Sequence, residues 1–136
     1  MPTYNLFISH SWTYSDAYQK LIALLDNAER FSYRNYSVPI NDPIHNALNI
    51  SALRAAIRRQ MQPASVVLIL AGVYSSYSKW INEEILLANS GFTARKSVIA
   101  IEPWGSERTS KVVKDNADDV VRWSTASIVS AIRKLA

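Results

Sequence analysis

Glu84 is the residue whose type and position most suggest chemistry, and it follows Trp80 by four residues. In a helix, this spacing places the carboxylate and the aromatic ring on one face. A carboxylate held there can accept a proton or stabilise a developing positive charge. Two alternatives stay open: Glu84 is a solvated carboxylate paired with Lys79, or the adjacent Glu83, about 100° around the helix, holds the role.

A second group of polar side chains follows the first hydrophobic run of the chain. Ser9, His10 and Ser11 end this run, and the second histidine of the chain is His45. Two histidines can exchange protons near neutral pH or bind a metal ion. No paired-histidine motif is present, so we predict no metal site. Capping of the strand end and contact with a substrate explain Ser9 and His10 equally well.

Composition excludes several classes of protein. The chain has no cysteine, which rules out disulfides and thiol redox chemistry, and it has three glycines. Motifs for phosphate loops, dinucleotide binding and nucleophile elbows are missing. No run reaches the ~18 apolar residues of a membrane span, and no leader-like segment precedes the first strand. We therefore expect a cytoplasmic protein that has no membrane partner.

The formal net charge of +4 comes from 15 basic and 11 acidic residues. The basic residues are spread along the chain, and their densest group, Arg54, Arg58 and Arg59, has helical spacing. A solvated helix face explains this group better than a phosphate-binding stripe does. We therefore predict no nucleic-acid partner.

Strand-length and helix-length segments alternate along the chain. Strands are predicted at residues 4–9, 31–38, 65–71, 97–101 and 120–121, of which 31–38 is the weaker and nearer an edge. Helices are predicted at residues 15–28, 48–61 and 77–89, with an optional one before the last strand and a final one capped by Ser124 or Thr125. This order predicts a single α/β domain over residues 1–136, a flavodoxin-like three-layer sandwich with a central parallel sheet of about five strands.

In such a sheet, ligands bind outside the carboxyl ends of the strands, where the strand order reverses. Four predicted loops lie at that edge: residues 9–12, 39–47, 72–78 and 102–109. The third loop leads into the segment that carries Trp80 and Glu84. The elements therefore position Glu84 near the first turn of a helix at the ligand edge.

Two segments resemble the motifs of a known family. Residues 4–11, with the sequence YNLFISHS, resemble the first box of TIR domains, and residues 78–85, SKWINEEI, look like the TIR helix motif of Ser, Trp and a downstream Glu. Arg122 and Trp123 loosely resemble the third box. The resemblance covers nearly the whole chain and is closest to the short bacterial TIR-like proteins of Thoeris anti-phage systems.

The resemblance implies an enzyme that cleaves NAD, with Glu84 as the essential carboxylate and NAD as substrate rather than cofactor. It implies a cyclic or otherwise modified ADP-ribose product that diffuses to a separate effector. Its other implied substrate contacts are Phe7, Ser9, His10, Ser11, Asp42 and Trp80, although helix packing explains Trp80 better. Cleavage develops an oxocarbenium-like ribose, which a carboxylate can stabilise. Nicotinamide leaves as a neutral molecule, so a second, acidic carboxyl group is not required.

A second function also fits the sequence. A non-catalytic TIR-like adaptor would self-associate through residues 39–47 and its exposed helices, without NAD turnover. The resemblance also implies that catalytic members act as assemblies, in which one protomer's loop completes its neighbour's site. A receiver-like regulator is disfavoured because no acidic cluster follows the first strand to hold Mg²⁺.

Overall fold

In the computed structural model, the described residues are 3–9, 15–36, 50–70, 79–102 and 111–136. The strands are β1 Thr3–Ser9, β2 Ser32–Asn35, β3 Val66–Leu70, β4 Ser97–Ile101 and β5 Asp119–Val121. The helices are α1 Ser15–Asp26, α2 Ile50–Met61, α3 Lys79–Ser90, α4 Lys111–Asp115 and α5 Thr125–Leu135. Strands and helices thus alternate along the chain.

All five strands form one parallel sheet in the order β2-β1-β3-β4-β5. This order confirms the predicted flavodoxin-like α/β fold. After β2 the chain returns past β1 to build β3, so the strand order reverses between β1 and β3. At that point Ser9, the last residue of β1, is in register with Ile69 of β3.

Successive side chains of a strand point to opposite faces, and the two faces of this sheet carry separate apolar clusters. The α2/α3 face holds residues from the sheet, α2, α3 and α4: Phe7, Val67, Ile69, Val98, Ala100, Ile57, Met61, Ile85, Ala88 and Val113. The α1/α5 face holds residues from the sheet, α1 and α5: Leu6, Ile8, Val66, Leu68, Ile99, Ile101, Leu21, Leu25, Ile128 and Ile132. Strands buried on both sides explain the continuous apolar runs in the sequence.

The second strand lies at the edge of the sheet, as predicted, but it is shorter than predicted. It covers Ser32–Asn35, and its last two residues, Arg34 and Asn35, are exposed. Among the described strands, β2 pairs with β1 alone, so less apolar surface is available to extend it than for a central strand. Residues 37–38 of the predicted strand lie outside the described part of the chain.

Helix ends differ modestly from prediction. The first helix ends at Asp26 rather than near residue 28, and Arg30, with φ of 53°, turns the chain toward β2. Predicted residues 48–49 and 77–78 lie outside the described ranges. The optional helix exists as α4, a single turn that buries Val113. Ser124 caps α5 as predicted, since its Oγ accepts a hydrogen bond from the Ser127 N–H at 3.1 Å.

Among the residues that the structure describes, no helix is both long and apolar enough to cross a bilayer.

Candidate functional site

Ser9 lies at the reversal of strand order, at the carboxyl end of β1. Alternation along β1 puts its side chain on the α2/α3 face, together with that of Phe7. The side chain is 1% exposed, and its hydroxyl hydrogen-bonds no group in the described ranges. A buried hydroxyl in this condition is unusual, and a bound ligand is one way to satisfy it.

Glu84 lies in α3, which packs on α2 and on β4. It is 1% exposed, in a helix segment whose neighbours Ile85 and Ala88 belong to the apolar cluster of the α2/α3 face. The interpretation of Glu84 as a solvated helix carboxylate is therefore wrong. Packing of α3 against the sheet, rather than the helix alone, buries this residue.

Ser9 and Glu84 share a face and an edge of the sheet. The helix α3 follows β3, so its first two turns, which include Glu84, lie toward the carboxyl ends of the parallel strands. Ser9 is at the carboxyl end of the adjacent strand β1. Ser9 thus lies at the reversal point, where open α/β sheets bind ligands, and Glu84 is buried on the same face of the sheet, in the helix that follows β3.

Glu83, the alternative to Glu84, has a different partner. Arg54 of α2 donates from Nε to Oε2 of Glu83, and from Nη2 to Oε1 at 3.3 Å. The Glu83 side chain is 11% exposed and that of Arg54 is 47% exposed. Hydrogen bonding to Glu83 and the charge of its carboxylate raise the pKa of Arg54. The Glu83 carboxylate therefore forms an ion pair that joins α2 to α3.

Phe7 is fully buried in the α2/α3-face cluster, beneath the end of β1. Its ring belongs to a close-packed cluster with apolar side chains of the sheet, α2 and α3. The structure thus gives Phe7 a packing role. Its predicted contact with substrate stays a prediction.

The other predicted site residues, or their side chains, lie outside the described part of the chain. His10, Ser11 and Asp42 lie outside the described residues, as does His45. Trp80 belongs to α3, four residues before Glu84, but its side chain lies outside the description. These assignments therefore stay predictions.

Arg54 is the residue that the sequence analysis missed. Its helical spacing with Arg58 and Arg59 suggested a solvated face, and all three are exposed. The ion pair joins Arg54 to a residue 29 positions away, and no local pattern links the two. Within the described ranges, no group of three or more His, Cys, Asp or Glu side chains could hold a metal ion.

Comparison with known proteins agrees with this architecture. The model of the family described as Thoeris protein ThsB, TIR-like domain, matches residues 7–108, well over half of the chain. Among solved structures, the chain is similar to the crystal structure of the interleukin-17 receptor B SEFIR domain, with a TM-score of 0.59 and 12% identity over 99% of this chain and 96% of that one. At that identity the likeness shows the fold alone. No curated protein matches the chain in sequence.

Proposed function

This chain belongs to the family of TIR-like domains of the Thoeris protein ThsB, and we propose that it is an NAD-consuming enzyme of anti-phage defence. It cleaves the N-glycosidic bond between nicotinamide and ribose. The product is a cyclic or otherwise modified ADP-ribose, which diffuses to a separate effector and activates it. NAD is the substrate, and the reaction takes place in the cytoplasm.

The observation that carries this proposal is the burial of Glu84 in α3, on the face of the sheet that also holds Ser9. A glutamate that is 1% exposed is rare, because a carboxylate loses its hydration in an apolar setting. A carboxylate buried in this way needs partners that replace its lost hydration, and an active site is one place where such partners are found. Glu84 also occupies the glutamate position of the TIR helix motif.

The chemistry needs one carboxylate. The bond between ribose C1′ and the pyridinium nitrogen breaks, and its electron pair goes to that nitrogen, so nicotinamide leaves neutral. The ribose becomes oxocarbenium-like, and Glu84 stabilises its positive charge or binds a ribose hydroxyl. Water, or a nucleophilic group of the same nucleotide, then forms a bond to C1′ and releases a proton to the solvent. The first route makes linear ADP-ribose, and the second makes a cyclic product.

Ser9 supports the same site. Its hydroxyl is 1% exposed and lies on the face of the sheet that α3 covers. A hydroxyl there can donate a hydrogen bond to a phosphate oxygen of a dinucleotide, or donate one to or accept one from a sugar hydroxyl. In the proposed site, Ser9 binds the substrate and Glu84 performs the chemistry.

A non-catalytic adaptor is the second candidate, and one observation favours it. Leu86 on α3 and Val120 on β5 are 47% and 37% exposed, although both are large apolar residues. Exposed apolar side chains are common singly, but they also mark surfaces on which proteins associate. An adaptor would assemble through such surfaces and leave NAD unchanged.

The test is chromatography of NAD incubated with concentrated protein in lysate from infected cells. Wild type is compared with Glu84→Gln, which removes the charge and keeps the shape. Glu29→Gln, at an exposed position after α1, is the matched control. Loss of NAD with a new ADP-ribose species in wild type and the control, but not in Glu84→Gln, supports the enzyme. Unchanged NAD in all samples, with assembly demonstrated by light scattering, leaves the adaptor.

A further inference from the structure

The ion pair between Arg54 and Glu83 joins the two helices that cover the site. Arg54 is the fifth residue of α2 and Glu83 is the fifth residue of α3. Both helices follow a strand of the parallel sheet, so their first turns lie at the same edge of the sheet. The pair therefore connects α2 to α3 close to the carboxyl ends of the strands, where Ser9 and Glu84 lie.

The geometry of this pair is directional. Arg54 donates through two nitrogens to the two carboxylate oxygens of Glu83. Such a fork fixes the plane and direction of approach of both groups, which a lysine in the same place cannot do. Because the Glu83 side chain is 11% exposed, the pair is only partly screened by water on the carboxylate side.

The apolar contacts of α3 do not supply this directionality. Ile85 and Ala88 pack on the α2/α3-face cluster, together with Ile57 and Met61 of α2. Hydrophobic contact is non-directional, so it holds a helix against a sheet more firmly than it fixes the rotation of that helix. The Arg54 side chain is 47% exposed, so the ion pair adds little to stability, and its two-pronged geometry points to orientation as its role.

Small rotations of α3 matter to its next residue. A carboxylate about 6 Å from a helix axis moves by about 1 Å when the helix rotates by about 10°. A displacement of about 1 Å at a reacting centre can reduce the rate about 100-fold. Glu84 adjoins Glu83 in the chain, so any rotation that breaks the ion pair also moves Glu84.

We propose that Arg54 is a positioning residue: through Glu83 it fixes the rotation of α3 and so holds Glu84 at the reacting ribose. The inference rests on the proposed function. A residue that positions the carboxylate affects the energy of the transition state more than substrate binding, because the transition state depends most strongly on geometry. Loss of the fork should therefore lower kcat and leave KM for NAD nearly unchanged.

Four variants of the full-length protein test this. Arg54→Met removes the fork, Arg54→Lys keeps the charge without the fork, and Arg54→Glu with Glu83→Arg exchanges the two charges. Arg59→Met, at an exposed arginine of the same helix, is the matched control. The readouts are kcat and KM for nicotinamide release from NAD, with circular dichroism and thermal unfolding to check the fold.

We expect kcat to fall ten- to a hundredfold in Arg54→Met and three- to tenfold in Arg54→Lys, with KM changed less than twofold. The exchanged pair should recover kcat above Arg54→Met, and Arg59→Met should match wild type. If Arg54→Met does not fold, the kcat values of Arg54→Lys and of the exchanged pair test the positioning role of Arg54.

Three results overturn the inference: kcat within twofold of wild type in both Arg54 single variants, no recovery in the exchanged pair, or a rise in KM at constant kcat. The last would mean that Arg54 binds the substrate itself. An inactive wild type would instead overturn the proposed function, so the two failures are distinguishable.

Discussion

Replacing Ser9 by alanine should stabilise the free protein and weaken its binding of NAD. The Ser9 hydroxyl is buried, and no group in the described ranges hydrogen-bonds it. Leaving a buried hydroxyl unsatisfied costs about 1–3 kcal/mol. Removal of the oxygen also forfeits some packing contact, so the lower end of that range, about 1 kcal/mol, is the expected gain in the free energy of unfolding.

This gain corresponds to a measurable shift in melting temperature. Unfolding entropy is about 2.1 cal/mol/K per residue near 60 °C, which amounts to about 0.3 kcal/mol/K for a chain of 136 residues. A gain of about 1 kcal/mol therefore raises Tm by about 3–4 °C. Differential scanning calorimetry at one protein concentration resolves a shift of this size.

The same scan with NAD separates the two roles of Ser9. Carried out on Glu84→Gln protein, it measures binding without turnover. A ligand at 100 times its Kd stabilises a protein by about 2.7 kcal/mol, and this increment should be smaller when Ser9 is alanine. Ser65→Ala, at an exposed serine preceding β3, is the control and should change the free energy of unfolding by less than about 0.5 kcal/mol.

A fall in Tm of several degrees for Ser9→Ala would refute this reasoning. It would mean that the hydroxyl caps the end of β1, which is the alternative that the sequence left open. An unchanged NAD increment would remove Ser9 from the substrate site whatever the sign of the stability change.

The remaining predictions concern the carboxylate, the core beneath it and the opposite edge of the sheet. If Glu84 stabilises the oxocarbenium as proposed, Glu84→Gln should lower kcat for nicotinamide release at least about 100-fold, because the substitution removes the negative charge. Glu29→Gln should release nicotinamide at the wild-type rate. Equal rates for the two variants would refute the proposed role of Glu84. Phe7→Ala should cost about 3–5 kcal/mol in urea unfolding, since it empties a fully buried site, and a cost below about 1 kcal/mol would contradict the packing role. Lys96→Met should lower the free energy of unfolding by about 1 kcal/mol, because Nζ of Lys96 donates hydrogen bonds to the carbonyls of Gln62 and Ala64 at 2.8 and 2.6 Å. The substitution should leave kcat unchanged. A fall in kcat would show coupling across the sheet.

Much of the fold could be predicted because its information is local. The strand at residues 97–101 is found with its predicted bounds, since an apolar run of that length is compatible with a strand buried on both faces. Polar residues placed before an apolar helical repeat narrowed the α5 cap to Ser124 or Thr125, and the structure shows that Ser124 is the cap. The last strand and α4 were harder, because three and five residues are too short for a periodic pattern.

The candidate site was only partly predictable. The motif at residues 78–85 directed attention to Glu84, but periodicity in the sequence could not establish its burial. Glu83 and Glu84 are both buried in the structure, at 8% and 1% exposure, because of the way in which α3 packs. The partner of Glu83 comes from another helix, 29 residues earlier in the chain.

The amino-acid sequence by itself determined the alternation of strands and helices, the parallel sheet and the family motif around Glu84, because hydrophobic period and capping act between residues close in the chain. The tertiary structure alone decided that Arg54 pairs with Glu83, that Glu84 is buried and that Ser9 lies on the face that α3 covers. These contacts depend on how helices pack on the sheet. That packing depends on the total free energy of burial and hydrogen bonding of the whole domain, which cannot be calculated from any one segment of the chain.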